Sequence, residues 1–337
     1  MLLKDKKIKV GFSIGDLNGI GGELIVKTLQ DKCLLDLCTP VIYASSKMIT
    51  FLAAYFETPI QFNGIQKAQS ALPSKINVLD VWEETVSIKF GEPTPEAGRY
   101  AILSLEAAVQ DLKLAAINVL VTLPINKHNI QSDTFQFPGH TDYLNQQLEG
   151  DSLMFMISDK LRIGLLTDHI PIAEVASQIT EALICKKVEI IHHSLKNDFG
   201  ISNPKIAILG LNPHSGDNGV IGLEDDRVLK PALQRLKDGG KLVHGPYAAD
   251  SFFGSDAYKN FDAIVAAYHD QGLIPFKTLA FGSGVNFTAG LESIRTSPDH
   301  GTAYEIAGQG IAKTDSFKEA ILSAVEIYKQ RTLNQSF

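Results

Sequence analysis

The chain has 337 residues, of which 45% are apolar and 20% charged, and its formal net charge is −7 at neutral pH. These values are typical of a globular enzyme and leave no basic surface for nucleic acid, and no apolar run approaches the roughly 20 residues of a membrane span. Three cysteines without a CxxC pair are too few for a disulfide framework. We therefore expect a reduced, cytoplasmic protein that binds neither nucleic acid nor a membrane.

The N-terminal part of the chain alternates apolar runs with helical patterns. Residues Lys7–Ile14 predict a first strand, and a glycine-rich turn at 15–22 leads into a helix over Glu23–Gln30. The glycine spacing does not match the GxGxxG dinucleotide motif, so the turn indicates either close packing of the helix on the sheet or an anion contact. The next predicted elements are strands over Val41–Ala44, Asn77–Val81 and Asn118–Thr122, a helix from the cap Ser45 to about Phe56, and a helix from Thr94-Pro95-Glu96 to about Ala115.

The C-terminal part continues the same alternation. A helix is predicted over Ile172–Leu195 with a break near Cys185, and a turn is predicted over 245–251. Because strand and helix alternate along almost the whole chain, we predict an α/β protein with mostly parallel sheets and helices on both faces. The predicted strands here are Leu153–Ile157, Arg162–Thr167, Lys205–Leu211 and Ala263–Tyr268, with further extended segments at 285–288 and 294–296.

Three histidines follow three of these predicted strands. They are His169, His214 and His269. A single loop histidine is usually solvated, but ligands of α/β sheets lie beyond the carboxyl ends of strands. Three imidazoles with one open position are typical of a catalytic metal site, so the pattern favours a shared divalent ion. The nearby carboxylates of Asp168, Asp250 and Asp270 could orient the imidazoles or replace one of them as a ligand.

Several other polar groups suit an anion. The loop after Lys205–Leu211 is rich in glycine, and Gly216 and Gly219 allow close approach of a phosphate or pyrophosphate. His140 and Thr141 offer two donors, although a solvated loop is the plainer interpretation. Arg295 is on an extended segment, where an arginine is more often at the surface, but its planar fork suits a carboxylate or phosphate.

Nine motifs in order along the chain resemble one enzyme family, the 4-hydroxythreonine-4-phosphate dehydrogenases of pyridoxal 5′-phosphate biosynthesis. Nine motifs in register are far more specific than any one of them. They are GDLNGIGGE (15–23), LPINKH (123–128), FPGHTDYL (137–144), TDHIP (167–171), LNPHSGDNG (211–219), GPYAAD (245–250), YHDQGLIPFK (268–277), GVNFTAGL (284–291) and IRTSPDHGTAYEIAG (294–308).

The resemblance implies an NAD-dependent oxidation of the C3 alcohol of 4-phosphooxy-L-threonine, followed by loss of CO2 to give 3-amino-2-oxopropyl phosphate. It also implies a homodimer with a shared active site, in which one divalent ion per subunit, Zn, Mg or Co, is held by histidines from both partners. Carried over to this chain, the metal ligands are His169, His214 and His269, and the substrate contacts are His140, Thr141, Lys277, Asn286 and Arg295. We expect Lys277 and Asp250 to be catalytic residues, with Lys277 as a cationic donor to the substrate and Asp250 or a metal-linked water as the acceptor of the hydroxyl proton.

The segment 299–308, called the cofactor segment below, also looks like the cofactor loop of isocitrate and isopropylmalate dehydrogenases. This implies their two-domain α/β/α architecture. Glu305 would then meet the adenosine ribose and favour NAD over NADP, unless it is simply a helix-start acid. We expect residues 1–128 and 290–337 to form a domain that contributes to cofactor binding, and 129–289 to carry the metal ligands and the dimer contact.

Three alternatives stay open. A paralogue of the family that oxidises 4-phosphoerythronate or threonate 4-phosphate would keep every group named above. A phosphate-ester hydrolase could use the same metal to activate water, although it gives no reason for the cofactor segment. A non-catalytic binding protein would be free to lose Lys277 or a histidine.

Overall fold

The computed structural model describes residues 7–133 and 135–335, which form the strands and helices that follow. The strands are β1 (Ile8–Ser13), β2 (Cys38–Ala44), β3 (Phe62–Ile65), β4 (Ile76–Asp80), β5 (Val119–Thr122), β6 (Gly150–Ile157), β7 (Arg162–Leu165), β8 (Lys205–Leu209), β9 (Leu242–Tyr247), β10 (Ala263–Ala266), β11 (Val285–Leu291) and β12 (Ile294–Pro298). The α-helices are α1 (Gly21–Thr28), α2 (Lys32–Leu37), α3 (Ser46–Tyr55), α4 (Pro95–Lys113), α5 (His140–Gln147), α6 (Val175–Gln178), α7 (Glu181–Asn197), α8 (Lys230–Asp238), α9 (Ala249–Gly254), α10 (His269–Leu279) and α11 (Asp315–Asn334).

The chain divides into two units. The first comprises Met1–Gly150 and Leu291–Lys329, and the second Asp151–Gly290 and Gln330–Phe337. The strand order is β3-β4-β2-β1-β5-β12 in the first unit and β11-β6-β7-β10-β8-β9 in the second. The domain limits expected from the sequence, with their cofactor and dimer roles, stay a prediction.

Most neighbouring strands run parallel, which confirms the predicted fold class. In the first unit β1 pairs in parallel with both β2 and β5, and in the second β10 does so with both β7 and β8. Strands β6 and β7 form an antiparallel hairpin, because the short turn at Ser158 reverses the chain. Strands β2, β5 and β10 are buried along their whole length, as strands covered by helices on both faces must be.

Helix α4 begins and packs as its sequence predicts. The Thr94 hydroxyl accepts a hydrogen bond from the amide of Ala97 at 3.3 Å, and Pro95 occupies the first helical position, where no amide is needed. The apolar residues of its predicted face, Ala101, Leu105, Ala108 and Leu112, are all buried in the core of the first unit. None of the helices in the described part of the chain is both long and apolar enough to span a membrane.

Three local predictions were wrong. The helix predicted over Ile172–Leu195 breaks at Thr180 and not near Cys185, because the Thr180 hydroxyl caps α7 by accepting from the amide of Leu183. Ser45 makes no side-chain cap for α3, whose first amide donates instead to Asp80 at 2.5 Å. The segment 245–247, predicted as a turn, continues β9, with a cis Gly245–Pro246 bond and Tyr247 paired to Leu209 on β8.

Candidate active site

In the second unit, the three predicted metal histidines follow three adjacent strands. His169 comes after β7, His269 begins α10 directly after β10, and His214 comes after β8. The strand order β7-β10-β8 is parallel throughout, so the three carboxyl ends lie at the same edge of the sheet. Ligand sites of α/β sheets form at this edge because the loops there converge.

Two side chains fasten the three strand ends to one another. The Thr167 hydroxyl donates to the carbonyl of Ala267 at 2.8 Å and so joins the end of β7 to the end of β10. Gln271 joins β10 to β8, because its Oε1 accepts from the amide of Ala267 and its Nε2 donates to the carbonyl of Gly210, both at 2.7 Å. The segments that precede the three histidines are therefore held in a fixed relation.

His169 and His269 lie close together, with their ring centroids 5.8 Å apart. The carboxylate of Asp270 is 2.7 Å from Nδ1 of His269, so Nε2 is the ring nitrogen that could bind an ion. Asp168, the other carboxylate that could orient an imidazole, instead accepts from the backbone amide of His169 at 2.9 Å. Among the residues that the structure describes, no group of three or more His, Cys, Asp or Glu side chains is arranged to hold a metal ion.

His214 lies in a turn with an unusual backbone. Residues 214–218 all have positive φ angles, including 52° at His214 and 81° at Gly216. The turn is organised by the buried carboxylate of Asp225, which accepts from the amides of Leu211 and Asn212 at 2.9 and 3.0 Å and from the side chain of Asn212. The positive φ at Gly216 gives that glycine a role in the shape of the turn itself.

The residue types at this edge, imidazoles with a nearby carboxylate, suit a divalent ion, although the described residues do not bring three of them together. Imidazole nitrogen is a common ligand of zinc and cobalt, and a carboxylate hydrogen-bonded to the ring, as in Asp270, is the usual way to orient it. His214 is exposed and lies on a turn whose shape Asp225 fixes. The ligand set itself stays a prediction.

The first unit contains a buried cationic group on β12. Arg295, expected at the surface from sequence pattern alone, is only 2% exposed. Its Nε and Nη2 donate to the hydroxyl of Thr122 at 2.9 and 2.6 Å, which fixes the guanidinium plane at the end of β5. Burial lowers the pKa of Arg295 to about 9, so the group still carries its charge at neutral pH.

His140 is the first residue of α5 and is electrostatically coupled to Arg295. Burial, and then the positive charges of Arg295 and Lys127, hold the pKa of His140 well below its usual value. The Nε2 atom of His140 is buried and has no hydrogen-bond partner within the described residues. A neutral imidazole with an unused nitrogen, beside a fixed guanidinium and at a helix N-terminus, is suited to bind an anionic ester.

The remaining predicted site residues are at separate places in the two units. Thr141 follows His140 in the first turn of α5. Asn286 is on β11, and its Oδ1 is a second buried atom without a hydrogen-bond partner within the described residues. Lys277 and Asp250 are exposed, in the last turn of α10 and the first turn of α9.

The cofactor segment has no helix or strand. Glu305 is exposed within a series of turns, so its alternative interpretation as a helix-start acid was wrong. The Nε2 atom of His300 is buried and lacks a hydrogen-bond partner among the described residues. The Nδ1 atom of the same ring is 3.1 Å from the carbonyl of Gly301, so Nε2 is the His300 atom that a polar ligand could satisfy.

Comparison with known proteins supplies the decisive observation. The family model of the pyridoxal phosphate biosynthetic protein PdxA matches residues 36–324. The chain belongs to the PdxA family. The family resemblance expected from the sequence motifs is thereby confirmed.

Relatives of this PdxA-family chain are similar over nearly their whole length. A 4-hydroxythreonine-4-phosphate dehydrogenase of Bacteroides thetaiotaomicron is 45% identical over 331 residues, covering 98% of this chain and 91% of the relative. One of Sulfurihydrogenibium sp. is 40% identical, covering 96% and 99%. The crystal structure of the Klebsiella pneumoniae 4-hydroxythreonine-4-phosphate dehydrogenase matches with a TM-score of 0.82 at 32% identity, covering 96% of this chain and 98% of that one.

Sequence reasoning did not identify the residues that hold the loops of this PdxA-family chain in place. The motifs and strand pattern gave no role to Asp225 or Gln271, which hold the turn of His214 and the ends of β8 and β10. Asp16, which accepts from Asn129 at 2.7 Å and from Tyr304 at 2.9 Å, was also missed. Asp16, Gln271 and Tyr304 could have been identified from the sequence, because all three lie inside the motifs that resemble the family.

Proposed function

We propose that this PdxA-family chain oxidises the C3 alcohol of 4-hydroxy-L-threonine phosphate with NAD and releases CO2, leaving 3-amino-2-oxopropyl phosphate. The names of the relatives at 45% and 40% identity support this activity. Within the chain, the observation that carries the proposal is the buried Arg295 coupled to the neutral His140. The substrate, a phosphorylated hydroxy acid, carries two anionic groups. Burial of the Arg295–His140 pair is costly unless the pair binds an anion.

Binding of the anionic substrate follows from the chemistry of the first unit. Arg295 keeps a positive charge at neutral pH and presents a guanidinium whose orientation is fixed by Thr122. His140 can donate or accept through its unused Nε2, and Thr141 adds a hydroxyl at the N-terminus of α5. Lys277 and Asn286, in the second unit, are the further substrate contacts that the family resemblance implies.

His169, His214 and His269 would hold a divalent ion, Zn, Mg or Co, in a homodimer whose partners share these ligands. The ion, when bound, supplies a Lewis acid at the reacting oxygen. Asp270 keeps the ring of His269 oriented and its Nε2 ready to bind. Thr167 and Gln271 tie the strand ends that precede the three histidines to one another.

The proton and the hydride need separate acceptors. Asp250 is an exposed carboxylate and would accept the hydroxyl proton directly or through water. NAD, when bound, accepts the hydride, and Glu305 would hydrogen-bond the adenosine ribose. A carboxylate at that position disfavours the 2′-phosphate of NADP by repulsion. Gly216 and Gly219 are the proposed backbone contacts to the pyrophosphate.

The proposal is tested by following NADH formation with 4-phosphooxy-L-threonine, NAD and a divalent ion. Turnover with release of CO2, its loss on chelation and its recovery with added zinc, magnesium or cobalt are the expected results. His214→Ala should abolish turnover while light scattering still reports a dimer. Absence of NADH formation in every metal-loaded preparation of the folded dimer would refute the proposal.

A second candidate substrate is D-threonate 4-phosphate. A relative from Oceanobacillus iheyensis, 34% identical over 96% of this chain, has a name that proposes D-threonate 4-phosphate dehydrogenase activity. The same metal ligands and anion contacts would serve both substrates, since the two differ in the amino group. The ratio of kcat/KM for the amino acid and the hydroxy acid decides between them, and we expect the ratio to favour 4-phosphooxy-L-threonine.

A further inference from the structure

A buried carboxylate in the first unit gathers donors from three separate parts of the chain. Asp16, in the loop after β1, is 0% exposed. Its Oδ1 accepts from the amide of Asn18 at 2.9 Å. Its Oδ2 accepts from Nδ2 of Asn129 at 2.7 Å and from the hydroxyl of Tyr304 at 2.9 Å. Asp16 is thus satisfied by hydrogen bonds alone, and it joins the loop after β1 to the cofactor segment.

The cofactor segment depends on such anchors because it lacks regular secondary structure. Within it, the carbonyl of Thr302 accepts from the amide of Ile20 at 3.1 Å. The two backbones approach so closely there that a Cβ on Gly19 would lie 2.9 Å from that carbonyl oxygen. Tyr304 adds a side-chain bond between the same two loops, two residues further along. Burial, and then the charge of Asp16, raise the pKa of Tyr304, so the phenol keeps its proton and donates.

The residues just after the segment are anchored separately. Glu23 on α1 is fully buried, and its Oε1 accepts from the amide of Ala312 at 2.8 Å. Lys27 pairs with Glu23 at 2.6 Å and donates to the carbonyl of Gly310 at 2.5 Å. With its end also held by α1 and by the Tyr55 hydroxyl, which donates to the carbonyl of Gly308 at 3.2 Å, the middle of the segment is the part that the bond from Tyr304 to Asp16 holds.

We infer that the hydrogen bond between Tyr304 and Asp16 is a positioning contact that sets the affinity of the cofactor segment for the dinucleotide. This inference rests on the proposed use of NAD. Loss of the bond lets the segment populate conformations that do not bind. The apparent affinity for NAD then falls in proportion to the fraction of molecules whose segment stays in a binding conformation. Chemistry after binding is unchanged, because neither side chain touches the reacting atoms in this account.

The test uses Tyr304→Phe, which removes one hydroxyl and keeps the ring. We expect the Kd for NAD, measured by calorimetry on the metal-loaded dimer, and the KM for NAD to rise about tenfold, the value of a bond to a buried carboxylate. The kcat and the KM for the phosphorylated substrate should stay within about twofold. Without NAD, amide hydrogen exchange in 299–308 should become about tenfold faster than in wild type.

The matched control is Tyr43→Phe, because the Tyr43 hydroxyl also donates to a carboxylate of the first unit, Asp111, at 2.7 Å. It should lower stability without changing NAD affinity or exchange in 299–308. Asp16→Asn is the second variant, since its amide would face the donors of Asn129 and Tyr304. Asp16→Asn should weaken NAD binding at least as much as Tyr304→Phe does. The double variant should bind NAD no more weakly than Asp16→Asn alone.

The outcomes separate this inference from the proposed function. If wild type fails to bind NAD, the proposed function fails, and exchange in 299–308 still reports whether Tyr304 holds the segment. If wild type binds NAD and Tyr304→Phe binds it equally well, the positioning role is refuted while the proposed function stands. An equal loss of NAD affinity and an equal acceleration of exchange in Tyr43→Phe would also refute the positioning role, because the effect would then be one of general stability.

Discussion

The carboxamide of Gln271 donates to the carbonyl of Gly210 at 2.7 Å and thereby connects the segments that lead to two of the proposed metal ligands. The same side chain accepts from the amide of Ala267, at the end of β10. Gln271 is two residues after His269, and Gly210 is four residues before His214. One side chain therefore ties together the two segments that carry these histidines.

Replacement of Gln271 by alanine should weaken the metal site. Both hydrogen bonds are lost, so the two strand ends separate more easily. We expect a fall of about tenfold in the affinity for Co²⁺, at the low end of what supporting residues of metal sites contribute. Titration of the metal-free protein with Co²⁺ measures this affinity. Gln234→Ala, which removes an exposed glutamine bonded to Asp238 on α8, is the control and should bind Co²⁺ like wild type. Equal affinity in both variants would contradict the role of Gln271.

Asp225→Asn should disturb the turn that carries His214. The amide nitrogen of the new side chain would face an amide donor, because both oxygens of Asp225 accept from the backbone of Leu211 and Asn212. We expect the free energy of unfolding to fall by about 2 kcal/mol, the cost of losing a bond to a charged acceptor. Metal-dependent turnover should fall with it.

The neighbouring carboxylate gives the control for this change. Asp226 pairs with Lys230 near the surface and does not hold the turn. Asp226→Asn should change the free energy of unfolding by less than about 0.5 kcal/mol, because a surface ion pair contributes little to stability. Urea unfolding and turnover of the two variants are compared directly. A larger loss of turnover in Asp226→Asn than in Asp225→Asn would count against the account of the turn.

Arg295→Lys should impair binding of the phosphorylated substrate although the charge is kept. An ammonium cannot reproduce the planar fork that Thr122 orients through two N–H groups. We expect the KM for the substrate to rise about 30-fold, from a loss of about 2 kcal/mol, while the KM for NAD stays the same. Steady-state kinetics measure both. Arg99→Lys, at an exposed position on α4, should leave the kinetics unchanged.

The lowered pKa of His140 makes stability depend on pH. In the folded chain its pKa lies well below 6.5, whereas the unfolded chain binds a proton near that value. As the pH falls through about 6.5, the unfolded state gains protons that the folded state does not, so stability decreases, by up to about 1.4 kcal/mol per unit. Arg295 and Lys127 strengthen this trend because their charges oppose a proton on the ring.

His140→Gln isolates the contribution of this ring. We expect urea unfolding at pH 7.5 and 5.5 to show that the free energy of unfolding falls by about 1.4 kcal/mol more in wild type than in the variant. His193→Gln, which removes an exposed histidine of α7, controls for the loss of a histidine at the surface. An identical loss in wild type and His140→Gln would mean that His140 is not buried in its neutral form.

The sequence by itself determined those features that depend on neighbours along the chain. The cap at Thr94 with Pro95 and the apolar face of α4 are local patterns, and the structure reproduces them. The alternation of strand and helix fixed the parallel α/β class. It also located the histidines at strand exits, because a strand end can be read from a change of periodicity. The break in the helix before α7 was misjudged because an internal Thr180 competes weakly as a cap in a helical pattern.

Only the tertiary structure decided which distant groups meet. Asp16 and Tyr304 are 288 residues apart, and Arg295 and Thr122 are 173 apart. No periodicity encodes such pairs, because they arise from the order in which crossovers bring strands together in the sheet. The burial of Arg295 and the unused nitrogen of His140 have the same origin. Burial is a property of the packed unit, and it alone converts an ordinary arginine and histidine into a cationic group next to a neutral imidazole.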